Sequence, residues 1–346
     1  MPPLLTEDDL LRSPQWFPLR IADGGSLFMV DLDEASYRAA SFLDERLLAL
    51  GRPHATCDIS LVRAAAARLA PRCHYVFHTG HVGSTLISRL IGAHKSFFSV
   101  REPALLRSLC DRAPLSRCLD LRDLLSLLAR TWRAEQRAVI KVTSIANELA
   151  APILAGPDQP LAIFMFATPL DYLRGILAGP NSRVESRTLA PGRMHRLAQR
   201  LGGPPLAIRS EGEQIAMNWL CEMSTLHQAA LLFESQVLWM NFDAFLHEPL
   251  PALQTIFRAL GAAPTSEELQ SLLAAPIMRQ YSKAPEHPYD AALRREVLES
   301  ADWEHGAEIK RGMDWLARGA VAQPLVQAVL ATASRRQAGS LPPGLV

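Results

Sequence analysis

Short apolar stretches alternate with amphipathic helical segments along the middle of this 346-residue chain. Such stretches have the length and composition of buried strands. Strands separated by helices pair in parallel, because each crossover returns the chain to the same edge of the sheet. The alternation therefore predicts an α/β domain with a mostly parallel sheet over residues 71–285, with strands at His74–Thr79, Ala138–Val142, Leu161–Ala167 and Gln236–Phe242.

The segments on either side of this region lack the alternation. Residues 1–70 have mainly helical patterning and one possible short strand at Ser26–Val30, which predicts an N-terminal helical extension. Residues 286–346 predict a C-terminal helical extension. Within the central region, residues 180–205 are rich in Gly, Pro, Ser and Arg, and we expect a surface excursion or lid there.

Charge and cysteine content narrow the range of partners. The 36 basic and 35 acidic residues give a net charge of +1, so no general attraction to nucleic acid or to an anionic membrane is expected. The five cysteines include no Cys-x-x-Cys pair, and the N-terminus has no apolar export segment. We therefore expect a protein of the reducing cytoplasm.

A strand, two glycines and a helix follow one another between Tyr75 and Leu90. Glycines allow backbone amides to face an anion, and the helix start adds unpaired N–H groups and a positive dipole end. The order predicts an anion site, although a plain turn capped by Ser84 gives the same pattern. A nucleoside triphosphatase is disfavoured, because Ser84 stands where its loop needs lysine. The predicted site comprises Gly80, His81, Val82, Gly83, Ser84 and Thr85.

The loop His81–Thr85 resembles the Arg-Ser-Gly-Thr-Thr loop of the sulfotransferase family, and Ala93-His94 matches the end of the family's next helix. The likeness is to bacterial sulfotransferase-like proteins and, in catalytic layout, to tyrosylprotein sulfotransferases. It implies a P-loop fold with three layers, and transfer of a sulfuryl group from the nucleotide PAPS to a hydroxyl acceptor. His81 is a departure, because the family often has arginine there.

The resemblance extends to two candidate catalytic residues. Glu102 is in register with the catalytic glutamate of the tyrosylprotein enzymes, and Lys141 resembles a lysine that stabilises the transferring group. From the residues alone, Glu102 before Pro103 also fits a helix N-terminus, and Lys141 also fits a solvated charge. No metal is expected, because the histidines near the loop have no supporting carboxylate cluster.

The family's 3′-phosphate contacts are missing. Ala167 and Gly175 stand where the resemblance calls for arginine and serine. We name Arg183 and Arg187 as candidates to compensate, although a run of arginines is commonly a solvated face. Two other functions stay open: a phosphotransferase or nucleotide-binding relative with a changed donor, and a catalytically silent binding protein. Neither the acceptor nor the oligomeric state is encoded in a readable pattern.

Overall fold

A computed structural model describes residues 3–22, 25–111, 120–281, 286 and 288–336. The end of the predicted central domain, residues 282–285, and the last part of the C-terminal extension, residues 337–346, lie outside the described residues. In the described part of the chain, no helix combines the length and the apolar composition needed to cross a bilayer.

The N-terminal region contains a small antiparallel sheet as well as helices, so the expectation of a helical extension was wrong in part. Three strands pair in the order β1-β2-β3. Side chains of β2 at Leu27 and Met29 are fully buried, as alternation on a strand requires. The elements are α1 (Glu7–Arg12), β1 (Trp16–Ile21), β2 (Leu27–Asp31), α2 (Glu34–Ala39), a 3-10 helix (Glu45–Leu50), β3 (His54–Cys57) and α3 (Ile59–Arg68).

The central sheet has five strands, all parallel, in the order β5-β6-β4-β7-β8. The four predicted strands are confirmed to within one residue at each end, and β5 is an additional strand. Every residue of β4, β5, β7 and β8 is buried, which is expected when helices cover both faces of a sheet. The strands are β4 (Cys73–His78), β5 (Phe97–Arg101), β6 (Arg137–Lys141), β7 (Ala162–Phe166) and β8 (Val237–Asn241).

Helices flank this sheet and confirm the predicted three-layer α/β arrangement. They connect the parallel strands and continue beyond β8 as a helical C-terminal region. The helices are α4 (Ser84–Ala93), α5 (Ala104–Asp111), α6 (Leu121–Leu128), α7 (Ala150–Leu154), α8 (Pro169–Leu177), α9 (Pro180–Leu201), α10 (Glu211–Leu232), α11 (Phe242–His247), α12 (Pro249–Ala259), α13 (Ser266–Ala274), α14 (Ala291–Ala322) and α15 (Pro324–Arg336), with 3-10 turns at Ser144–Leu149, Glu234–Gln236 and Pro276–Arg279.

The segment predicted as a surface excursion or lid folds as the long helix α9, in which only Ser186, Ala190, Arg193 and Leu197 are buried. Pro180 occupies the first turn, where the absence of an N–H costs nothing, and Gly202 ends the helix with φ +70°. The arginines of its second half are neither a solvated face nor free to bind an anion. Arg193 and Arg196 both contact the buried carboxylate of Glu222, at 2.7 and 2.9 Å.

Candidate active site

The carboxyl ends of the parallel strands bring the predicted catalytic and anion-binding segments to one edge of the sheet. Glu102 follows β5, Lys141 ends β6, and the loop of residues 79–83 follows β4. These three strands are consecutive neighbours in the sheet, and Lys141 is in register with both Arg101 and Val76. Ligands of open parallel sheets bind at this edge, so we describe it as the candidate active site.

The loop Thr79–Gly83, here named the glycine turn, has an unusual backbone. Gly80, His81 and Gly83 have φ values of +89°, +55° and +64°. Turns of this kind direct backbone N–H groups of neighbouring residues into a concave anion site, although the Gly80 N–H itself donates to His78 Nδ1 at 3.0 Å. Gly83 is also the N-cap of α4, and no side chain caps the helix. The first amides of α4 therefore face the same space as the turn.

Close packing explains why position 83 is a glycine. A β-carbon there would lie 1.9 Å from Cε2 of Phe242, at the start of α11. The aromatic ring thus rests directly on the backbone of the glycine turn. Position 80 is less crowded: a β-carbon would lie 3.7 Å from the Ser144 hydroxyl and 3.9 Å from the Tyr172 hydroxyl. Burial raises the pKa of Tyr172 to about 12, so this hydroxyl stays neutral.

Two threonine hydroxyls at the turn are buried without a hydrogen-bond partner among the described residues. They are the Oγ1 atoms of Thr79 and Thr85. Buried polar groups are rarely left unsatisfied, and an absent ligand or water is a common explanation. The residues present therefore fit an anion that accepts hydrogen bonds from these hydroxyls and from the nearby amides.

A cavity of about 220 Å³ opens beside the turn and α4. Gly83, Ser84 and Thr85 form one wall of it. The opposite walls are largely apolar and aromatic, with Tyr281 and Tyr289 packed edge to face at 5.6 Å. Such a space suits a ligand that has an anionic end and a flat or apolar body.

The sequence reasoning missed Arg294, on α14, which lines this cavity. Its Nη1 lies 4.0 Å from the β-carbon position of Gly175, where the family's serine is absent. Asp243 binds the buried guanidinium at 2.5 and 3.0 Å, and the group stacks 4.8 Å above the ring centre of Phe242. Although burial opposes the charge, Asp243 raises the pKa of Arg294, so the side chain remains a cation.

The predicted compensating arginines on α9 point elsewhere. Arg183 forms hydrogen bonds to both carboxylate oxygens of Glu211, at 3.0 and 2.5 Å, and Arg187 lies 3.9 Å from the same carboxylate. Neither residue lines the cavity. His81, by contrast, lines the cavity, and its two ring nitrogens lie 3.2 Å from Ser182 Oγ and from Glu185 Oε2 on α9.

Glu102 and Lys141 contact each other directly. Lys141 Nζ donates to Glu102 Oε1, and the lysine side chain is fully buried while Glu102 keeps 15% exposure. Lys141 is therefore not a solvated charge. The backbone of Glu102 has φ +46°, an unfavourable conformation for a residue with a side chain, and its N–H donates to the Lys141 carbonyl at 2.7 Å. Strain of this kind concentrates at functional sites.

The N-terminal region holds the backbone on both sides of Glu102. The N–H of Leu43 donates to the carbonyl of Arg101 at 2.8 Å, and the carbonyl of Leu43 accepts from Ala104 at 2.9 Å. The buried guanidinium of Arg101 donates in turn to the carbonyl of Ala40 at 2.8 Å. This bracket, Ala40–Leu43, fixes the path of the chain where the strained residue lies.

The three histidines of this part of the chain have separate partners. His74 contacts Arg137 at 2.9 Å at the other end of β4, His78 accepts from the amide of Gly80, and His81 faces α9. Among the described residues, no three His, Cys, Asp or Glu side chains group together as metal ligands.

Comparison with known proteins gives loose structural overlaps. No family model matches the chain, and no curated protein matches it significantly. The sulfotransferase domain of the curacin biosynthetic pathway overlaps 72% of this chain and 98% of its own, at 14% identity and a TM-score of 0.41. Mouse sulfotransferase SULT7A1 complexed with PAP overlaps 77% and 91%, at 12% identity and a TM-score of 0.41.

A third overlap is with retinol dehydratase in complex with retinol and PAP, over 90% of this chain and 94% of the other, at 12% identity and a TM-score of 0.35. With TM-scores below 0.5, none of these overlaps supports an argument about chemistry.

Proposed function

We propose that this protein transfers a sulfuryl group from PAPS to a hydroxyl acceptor. The observation that carries the proposal is the placement of the glycine turn and the Glu102–Lys141 pair on neighbouring strand ends of one sheet edge. An anion cradle and a carboxylate base are the two parts that such a transfer needs. The sequence resemblance at His81–Thr85 and at Glu102 points to the same chemistry.

The transfer proceeds in line. The acceptor hydroxyl attacks sulfur and gives its proton to Glu102 as the new oxygen–sulfur bond forms, while the bond between sulfur and the donor phosphate oxygen breaks. Amides of the glycine turn and the hydroxyl of Thr85 stabilise the charge that collects on the departing phosphate. Lys141 donates a hydrogen bond to Glu102 Oε1, and its predicted role beside the transferring group remains a prediction.

The apolar cavity beside the turn is our candidate for the nucleoside part of the donor. Arg294 is the best-placed cation for a 3′-phosphate, because it lines the cavity at the position of Gly175. Arg183 and Arg187 remain the alternative, although both are paired with Glu211. A hydrogen bond to a charged group contributes about 1.5–3 kcal/mol, so losing the responsible cation lowers affinity by about 10- to 100-fold.

Calorimetric titration of 3′,5′-adenosine bisphosphate and of AMP tests the donor. We expect the wild-type protein to prefer the bisphosphate. The preference disappears in Arg294→Gln combined with Asp243→Asn, which removes the cation without leaving a lone carboxylate. It persists in Arg183→Ala combined with Arg187→Ala. If the preference is instead lost in the Arg183→Ala, Arg187→Ala variant and kept in the Arg294→Gln, Asp243→Asn variant, the 3′-phosphate is bound by α9. Transfer of labelled sulfate from PAPS to a panel of phenols and alcohols then tests the reaction itself.

A changed donor is the second candidate, and one observation favours it. The charge of Arg294 is already matched by Asp243, and position 167 holds a buried alanine where the family has arginine. Equal affinity of the wild-type protein for the bisphosphate and AMP would establish that the 3′-phosphate is not recognised. The PAPS assignment would then be abandoned in favour of a different anionic nucleotide.

A further inference from the structure

The imidazole of His78 lies between the glycine turn and Glu102. Its Nδ1 accepts the backbone N–H of Gly80 at 3.0 Å, and its Nε2 lies 3.7 Å from Glu102 Oε1. The residue is buried, with 5% exposure. One ring therefore touches the proposed anion cradle on one side and the proposed base on the other.

The contact with Gly80 determines where the ring carries its proton. A neutral imidazole has one N–H and one lone pair, and the lone pair of His78 faces the Gly80 amide at Nδ1. The proton is therefore on Nε2, which faces the carboxylate of Glu102.

Buried polar contacts fix the position of the ring. The carbonyl of His78 accepts from Asn147 Nδ2 at 3.0 Å, and the same amide nitrogen donates to Glu222 at 2.9 Å. Asn147 and Glu222 are both fully buried, and Glu222 is paired with Arg193. The backbone of His78 is therefore held from the interior of the protein.

Both His78 and Lys141 approach the same oxygen of Glu102, Oε1. Lys141 already binds it, whereas the 3.7 Å from His78 is longer than a hydrogen bond. Hydrogen bonds in active sites are often long before ligands bind and shorten in the productive complex. A small movement of the His78 ring is enough to close this gap.

We propose that His78 is a positioning residue that couples occupancy of the glycine turn to the orientation of Glu102. The inference rests on the proposed function. An anion bound by the later amides of the turn and by the start of α4 shifts Gly80, the ring moves with Gly80 through the contact at Nδ1, and Nε2–H binds Glu102 Oε1. Glu102 then presents Oε2 to the acceptor hydroxyl and takes its proton, while His78 keeps its own.

Nitrogen NMR of labelled histidine tests the contact without any turnover. In the ligand-free protein we expect His78 as the neutral Nε2–H tautomer, with a resonance that moves in Glu102→Gln and stays in the exposed control Glu304→Gln. In the wild-type protein, adding 3′,5′-adenosine bisphosphate is expected to shift the His78 resonance as well. An Nδ1–H tautomer, or a resonance indifferent to Glu102→Gln, would overturn the inference.

Two substitutions separate the two contacts of the ring. His78→Asn keeps an acceptor for the Gly80 amide but falls short of Glu102, whereas His78→Gln places an amide nitrogen near the position of Nε2. With PAPS and a phenol, we expect His78→Asn to lower kcat by about 10- to 100-fold at unchanged bisphosphate affinity. His78→Gln retains more of kcat and loses affinity. His54→Asn, at an exposed position, is the control.

Equal losses of kcat and affinity in both variants would reduce His78 to a packing residue and sink the coupling. Failure of the bisphosphate to bind the wild-type protein would instead overturn the donor assignment and the coupling to it. The ligand-free comparison of wild type with Glu102→Gln then decides the His78–Glu102 contact by itself, so the two failures are distinguishable.

Discussion

The two sides of the glycine turn are built on different principles. On one side, Glu102 is held by the fully buried Lys141, by a strained backbone and by a backbone hydrogen bond to the end of β6. On the other, the cavity has apolar and aromatic walls with Arg294 as its buried cation. The first side holds the Glu102 carboxylate at a fixed position, whereas the second encloses a space that fits a ligand.

The difference matters because binding and chemistry depend on different interactions. Only contacts that strengthen in the transition state accelerate a reaction, whereas uniform contacts improve affinity alone. We therefore expect changes on the carboxylate side to lower turnover at constant affinity, and changes on the cavity side to lower affinity first. Substitutions on each side separate these effects.

The largest effect is expected from Glu102→Gln. The amide keeps the shape of the side chain but accepts no proton, so kcat falls by about 10²- to 10⁴-fold. Affinity for 3′,5′-adenosine bisphosphate stays the same, because the cavity is untouched. Steady-state kinetics with calorimetry measures both, with the exposed Glu45→Gln as control. Wild-type turnover would show that Glu102 is not the base.

The same variant also tests the buried ion pair. Removing one partner leaves the ammonium of Lys141 buried without its counter-charge, which costs about 3–5 kcal/mol of unfolding free energy. Adding Lys141→Met to this variant removes the buried ammonium as well. Denaturant unfolding should show stability restored in the double variant, with turnover still lost. Recovery of turnover together with stability would mean that the pair has a purely structural role.

An intermediate effect is expected from Gly83→Ala, which acts where the two sides meet. The added methyl group collides with Phe242, and a φ of +64° disfavours any side chain, so about 1–3 kcal/mol of stability is lost. Bisphosphate affinity falls as the turn shifts. Gly192→Ala is the matched control, because the added carbon meets nothing within 4 Å apart from its chain neighbours and the adjacent backbone of its own helix. Equal thermal stability of the two variants would contradict the packing described for Phe242.

The smallest effect is expected from Thr85→Val, which preserves volume and removes the unpaired hydroxyl. Bisphosphate affinity should drop by about 10-fold, since a hydrogen bond to a charged group is worth about 1.5 kcal/mol at the lower end of its range. Stability should not fall, because the buried hydroxyl has no partner among the described residues. Thr188→Val on α9 is the control. A loss of stability at unchanged affinity would mean that Thr85 is not part of an anion site.

The strands and the glycine turn were predictable because their signals are local. Four apolar stretches and a strand–glycine–helix order are readable without knowing any neighbour. Glu102 and Lys141 were named from a family resemblance, and their mutual contact is a finding of the structure. It depends on strand order, since β6 lies between β5 and β4, and no local pattern encodes that order.

Two residues whose contacts depend on the tertiary fold, Arg294 and His78, were missed for the same reason. Arg294 lies in a segment expected to be a separate helical extension, and its contact with Phe242 and Asp243 closes the cavity from outside the predicted domain. His78, one of the histidines near the loop, was considered only as a possible metal ligand. Residues 180–205 were predicted as a surface excursion or lid because of their glycine, proline and serine content. The buried partners of the arginines in α9 lie on other elements and could not be read from the sequence.

The bracket around Glu102 has a consequence for how the chain can be divided. Leu43 and Ala40 belong to the N-terminal region, yet they hold the carbonyl of Arg101, the amide of Ala104 and the Arg101 guanidinium. A cut near residue 70 would remove the support that keeps Glu102 in its left-handed conformation. We therefore expect that the first seventy residues do not form a separable module, and that a chimera that exchanges them also changes the support of the candidate active site.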